Sequence, residues 1–193
     1  MIRIREKETV MCIKLCKPKA VGIKDGRTVL LRRPEAKDLR KILKYINAII
    51  DEDAPIELNK RMTLAAERKW MKETLAGMRK GTKHFLLAEL DGQLVGEANL
   101  TSGRGRSAHV AEYGISVAKD FRRLGVGSVL TKYILDVGRR DKNIKLITLR
   151  VYEFNRKAIQ MYRKFGFRKV ARLPNRVAYK GKLYATFVMD MKR

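Results

Sequence analysis

Apolar residues return along this chain with two different periods, and the switches between them lay out the elements. The stretch VGIKDGRTVLLR alternates around Asp25-Gly26, the pattern of a β-hairpin. In PEAKDLRKILKYINAII, Leu39, Ile42, Leu43, Ile46 and Ile49 fall on one helical stripe, and Pro34 suits the entry to that helix. DEDAPIELNK, broken by Pro55, is a loop. TLAAERKWMKETLAGMRK predicts a second helix, with Thr63 as its N-cap and Gly81 just past its end. The period then shortens. HFLLAEL and QLVGEANLT predict strands joined at Asp91-Gly92, GRGRS a basic turn, and HVAEYGISVA a further strand. A helix over SVLTKYILDVGRR, a strand over IKLITLRVY and a helix over NRKAIQMYRKFG follow, the last stopped by Gly166. RKVARL and YATFVMDMK close the chain as strands around Gly181. This is an α+β order of helix pair, meander, strand-helix-strand-helix and final hairpin.

Composition and charge narrow the class. At 193 residues, 45% of them apolar, the chain suits one globular domain over 21–193, with residues 1–20 as a basic extension or an added strand. No apolar run approaches the ~18 residues of a membrane span, and the first residues lack a signal peptide's apolar stretch. Cys12 and Cys16 are too few for a disulfide framework, and His84 and His109 are isolated, so a cytoplasmic protein without a metal is expected. Lys and Arg number 45 against 20 acidic residues, a net charge of +25 that attracts anions from phosphorylated cofactors to nucleic acid or acidic protein. The cations are spread along the chain and no nucleic-acid motif accompanies them, so the charge reads first as a surface property. A homodimer is left open.

FRRLGVGSVL places glycines and arginines where a strand gives way to a helix. The first amides of a helix lack internal partners and its dipole is positive there, so this loop is an anion site. It lacks the Gly-Lys-Ser/Thr of a P-loop and the third glycine of a dinucleotide fingerprint. Arg122-Arg123-Leu124-Gly125-Val126-Gly127, followed by Asn155-Arg156-Lys157-Ala158-Ile159-Gln160-Met161-Tyr162 and Gly166-Phe167, resembles the two motifs of the GNAT superfamily of acyl-CoA N-acyltransferases, in order and correctly spaced. The resemblance runs from about Thr28 to the C-terminus. It implies a single GNAT-type domain, a mixed sheet of about seven strands with helices on both faces, and acetyl-CoA as acetyl donor. By the same resemblance, Leu124 to Ser128 would hold the pyrophosphate through their amides, with Arg122 and Arg123 at the rim. Ile115, Ser116 and Val117 would offer backbone groups to the pantetheine arm where two strands splay, and Asn155 would hydrogen-bond that arm.

The implied chemistry is attack of a neutral amine on a thioester, which needs a proton acceptor for the amine and benefits from an acid beside the leaving thiolate. Tyr162 stands where the family supplies that acid; its alternative is a core tyrosine on a stripe with Ala158 and Phe165. Glu112 is the candidate base, directly or through water; its alternative is an outward-facing strand residue. Asp51, Glu52, Asp53 and Glu57 lie against the chain's charge balance, the first three at a helix end that disfavours anions. They form either a solvated loop or an attractor for a cationic amine. Three functions stand: an N-acetyltransferase of a small amine, toward which the ending ARLPNRVAYKGKLYATFVMDM leans by resemblance; an acetyltransferase of protein N-termini or lysines; and a non-catalytic module binding acetyl-CoA or nucleic acid.

Overall fold

The computed structural model describes residues 18–192, so Cys12, Cys16 and most of the basic N-terminal stretch lie outside the described residues. Eight strands form one sheet: β1 (Lys19–Gly22), β2 (Thr28–Arg32), β3 (Lys83–Leu90), β4 (Gln93–Ser102), β5 (Val110–Val117), β6 (Leu146–Tyr152), β7 (Arg168–Tyr179) and β8 (Lys182–Lys192). Their spatial order is β1-β2-β3-β4-β5-β6-β8-β7. That is one strand more than the expected seven; β1, a short edge strand, accounts for it and begins inside the stretch read as an extension. All neighbours are antiparallel except β5 and β6, which run parallel. Strand β7 continues six residues beyond the RKVARL segment, through Pro174, accommodated by register shifts against β8. An outermost strand tolerates a proline that an inner ladder would not.

Helices cover both faces. On one lie α1 (Leu39–Asp51) and α2 (Leu64–Arg79), packing Ile42, Tyr45, Ile49 and Met71 on Phe85, Leu87 and Leu94. On the other lie α3 (Val126–Arg140) and α4 (Arg156–Lys164), with Leu130, Ile134 and Ile159 in the larger core. The start of α2 follows its sequence: the Thr63 hydroxyl accepts from Ala66 N at 3.2 Å. The loop between α1 and α2 is fixed by Asn47, whose side chain donates to Met62 O (3.1 Å) and accepts from Met62 N (2.7 Å).

One polar network ties α1 to the sheet. Arg32 makes two 2.7 Å bonds to Asp38 and two of 2.8 Å to Glu89, and Lys41 reaches Glu89 at 2.6 Å. Burial, the largest single effect, raises the Asp38 carboxyl, but the Arg32 guanidinium and the Glu35 amide together bring it below its ordinary value, and Arg32 likewise holds Glu89 low. Carboxylates depressed in the folded state stabilise it at neutral pH and lose that contribution as the pH falls below the usual carboxylate range of about 4. Arg32→Met should therefore cost about 3–5 kcal/mol at pH 7, because it leaves the buried Asp38 without its salt-bridge partner and Glu89 with Lys41 alone. The gap to the unmodified protein should narrow in acid. Urea denaturation at pH 7 and pH 3 measures both.

Candidate active site

The loop between β5 and α3 is built as an anion cradle. Arg123 and Gly125 take left-handed backbone angles, with φ of 67° and 95°, and turn the chain sharply into α3. The Gly125 carbonyl accepts from Val129 N (3.0 Å), while the amides of Val126, Gly127 and Ser128 have no backbone acceptor among the described residues. The β1–β2 hairpin braces the loop, since Lys24 N donates to Leu124 O at 2.9 Å. A Cβ on Gly125 would come within 3.2 Å of Lys24 Cγ. Lys24 is thus a further cation beside the cradle, absent from the motif because it arrives from a distant hairpin. The residues fit a phosphorylated ligand: three outward amides at a positive helix end and a backbone that a side chain would crowd. Arg123 is exposed and makes no ion pair among the described residues, as suits a rim position. Arg122 differs from that expectation. Its Nε donates to Val117 O (2.8 Å) and its guanidinium pairs with Glu52, so it buttresses the strand end.

Beside the cradle the sheet opens. Strands β5 and β6 pair only over Val110–Glu112 against Leu146–Thr148, after which β6 stays with β8 alone. Ala118 N donates to Val95 O, and alternation along β5 then turns the backbone groups of Ser116, Gly114 and Glu112 toward β4. Those of Tyr113, Ile115 and Val117 turn toward the opening. Ile115 and Val117 can therefore serve an extended ligand as a strand would. Ser116 cannot, and its side chain does different work: its hydroxyl lies 2.9 Å from the Tyr45 hydroxyl and donates to Glu97 Oε1 at 3.1 Å.

Glu97, on β4 directly across from Ser116, was not singled out by motif. Burial raises its pKa to about 7, against the lowering effect of the Ser116 bond and the Lys83 charge. The available signal was a lone carboxylate inside the apolar run LVGEANL. Glu67 of α2, only 4% exposed and without a hydrogen-bond or ion-pair partner among the described residues, is also raised by burial, and its charge adds to the rise at Glu97. Lys83 lies over Trp70, bonds the Thr74 hydroxyl at 3.1 Å and has its pKa lowered by burial. Glu112 sits on the same face at the last rung before the opening. It is 58% exposed and 4.0 Å from Arg150, the outward-facing position that strand alternation allowed.

Tyr162 lies on the opposite face, 8% exposed, edge-on to Tyr113 (5.9 Å) and Phe167 (6.0 Å). Its hydroxyl has no hydrogen-bond partner among the described residues, and burial raises its pKa to about 12. It is both a core ring and a free phenol. Asn155 caps α4, its Oδ1 accepting from Ala158 N at 3.3 Å, which leaves only the amide NH2 for a ligand. The acidic loop is largely compensated: Asp51 pairs with Arg61 and Glu52 with Arg122, leaving Asp53 and Glu57 without a cation partner among the described residues. The Glu52–Arg122 pair also ties this loop to the cradle, so the two are neighbours. No group of three His, Cys, Asp or Glu side chains is placed to hold a metal among the described residues.

Residues 45–167 match the family model described as acetyltransferase (GNAT) family. Over 83 residues the chain is 34% identical to the L-amino acid N-acetyltransferase AaaT of Escherichia coli (strain K12), covering 42% of this chain and 51% of that protein. The chain thus spans about half the length of this curated relative. An acetyltransferase of the GNAT family from Streptococcus pneumoniae superposes with a TM-score of 0.78 at 22% identity, over 86% of this chain and 99% of that one. A Salmonella typhimurium structure holding acetyl-CoA as its cofactor gives 0.74 at 19% identity, over 85% and 93%. At these identities the likeness shows the fold.

Proposed function

Because the chain belongs to the acetyltransferase (GNAT) family, we propose that it is an N-acetyltransferase that moves the acetyl group of acetyl-CoA to the primary amine of a small molecule by direct attack, with residues 21–193 as the catalytic domain. The observation that carries this reading is an amide-lined anion cradle beside the strand opening together with a carboxylate, one strand in on β4 and bonded to Ser116 of β5, whose pKa is about 7. The amides of residues 126–128, with Lys24 and Arg123 alongside, would hold the donor's phosphates, and the backbone of Ile115 and Val117 its arm. The donor's thioester supplies an acetyl group already activated toward an amine.

Base and acid approach from opposite faces of the sheet. On the α1–α2 face Glu97, half ionised near neutral pH, takes a proton from the attacking amine, and Ser116 and Tyr45 orient it. On the α3–α4 face Tyr162, protonated throughout the physiological range, donates to the departing sulfur. Glu67 and Glu97 together favour an acceptor that arrives as an ammonium ion. A small acceptor is favoured by the contact between Tyr179 OH and Asp53 O (3.4 Å), which bridges the β7–β8 hairpin and the α1–α2 loop beside the opening. Glu112 is a second reading for the base, favoured by its place at the last rung before the strands part.

The test is acetyl-CoA-dependent CoA release across cationic amines, neutral amines and N-terminal peptides. Turnover of small cationic amines is expected, and turnover of peptides alone would overturn the acceptor class. With an aromatic amine that stays neutral throughout, kcat should rise tenfold per pH unit below about 7 and level off above it, following deprotonation of Glu97. Glu97→Gln should remove that limb and lower kcat by roughly 10²-fold or more. If Glu112→Gln does so instead, Glu112 is the base.

A further inference from the structure

The end of the sheet remote from the opening carries charge of one sign. The α2–β3 turn, the β4–β5 loop and the α3–β6 loop all lie there, because β3 and β5 start at that end and β4 finishes at it. They present Arg79, Arg104, Arg106, Arg140, Lys142 and Lys145, all exposed and none in an ion pair among the described residues. The nearby acids are engaged elsewhere: Asp141 is buried and 2.9 Å from His84 Nε2, Asp136 pairs with Arg139, and Glu112 faces Arg150 at 4.0 Å. The loops are also locked side by side. Ser102 N donates to Thr82 O, Gly103 N to Val110 O, and Lys145 N and Leu146 N to His109 O. Cations carried on loops whose backbones are locked together differ from scattered surface lysines, since no loop must be ordered on binding. The opposite end is mixed, with Asp25, Asp51, Glu52, Asp91 and Asp120 among its cations.

We propose that this rim is a docking surface for the phosphate backbone of nucleic acid. From β3 to β6 it crosses three inter-strand gaps, about 14 Å, which matches roughly four phosphates at ~3.4 Å of axial rise per strand. The loops offer arginine forks and lysine point charges, with His109 their one ring among the described residues, so they suit a backbone, read without sequence preference, more than stacked bases. The length of β5 sets the rim about 25 Å from the anion cradle. Nucleic acid held there leaves the donor and acceptor openings clear. The proposal is independent of acetyl transfer.

The experiment is fluorescence anisotropy with a labelled duplex DNA and a labelled RNA hairpin, titrated at several salt concentrations. Binding should weaken linearly in log K against log salt, with a slope of about −3 to −5 for four or five neutralised phosphates. Replacing Arg104, Arg106, Arg140, Lys142 and Lys145 by Gln should flatten most of that slope and weaken binding by roughly 10²-fold at ~0.1 M salt. The Gln variant of Arg40, Lys44, Lys60, Lys69 and Lys182, with equal charge loss elsewhere, should keep the slope within about one unit. An unchanged acetyl-CoA thermal shift certifies the fold; should the five-site variant fail it, Arg104→Gln with Arg106→Gln alone should still reduce the slope by about two. Equal losses in both five-site variants, or no salt-dependent binding, would overturn the proposal. Competition by polyglutamate as strong as that by unlabelled duplex would assign the rim to an acidic protein and overturn it equally.

Discussion

Tyr162→Phe should lower kcat by ~10²-fold or more while leaving the melting temperature nearly unchanged. The two expectations are linked. The ring is held edge-on between Tyr113 and Phe167, and phenylalanine keeps that packing. The hydroxyl has no hydrogen-bond partner to lose among the described residues, so its removal strands none of them and costs little stability. What vanishes is the hydroxyl proton that has no partner among the described residues, unlike that of Tyr113, which is engaged with Thr131. If Tyr162 were a packing residue and no more, kcat in a chemistry-limited assay would stay level, and the acid would have to be sought in solvent. A fall in kcat with KM preserved separates loss of the acid from loss of donor binding.

Gly125→Glu should abolish the rise in melting temperature that acetyl-CoA produces. A ligand binding only the native state at 100 times its Kd stabilises by ~2.7 kcal/mol, so the effect to be lost is large. Two costs enter at this position. Any side chain meets φ of 95° and Lys24 Cγ at 3.2 Å, and the left-handed conformation alone costs roughly 1–2 kcal/mol. Glutamate adds a negative charge where phosphates would sit. Gly125→Ala isolates the first cost, and the difference between the two variants reports the second. A normal ligand-induced shift in folded Gly125→Glu would remove the loop from the binding site.

The elements legible in the sequence were those whose local chemistry agrees with the fold. Asp25-Gly26, Asp91-Gly92 and Gly181 turned hairpins, Thr63 capped α2, and the glycine-bearing loop opened α3. What stayed hidden depends on pairings between distant residues. Glu97 is an ordinary strand residue until Ser116 lies across from it and burial lifts its pKa. Arg122 reads as a phosphate ligand until folding brings Glu52, seventy residues away, against it. The acidic loop was conspicuous for its charge, yet two of its four carboxylates are spent on Arg61 and Arg122, an outcome that sequence position alone does not encode.

The three-rung junction of β5 with β6 also bears on how the molecule comes apart. It is only three pairs long, a length shared with β2–β3, and it joins a meander of five strands to a three-stranded C-terminal unit. Seams of this kind open first, as sub-global excursions well below the free energy of full unfolding. Amides along β6 and the outward amides of β5 should accordingly exchange with deuterium sooner than those of β3 and β4. A donor lodged between the two strands would stitch the units together. Its arrival should slow exchange on both sides of the junction at once, including residues of β8 that it never touches.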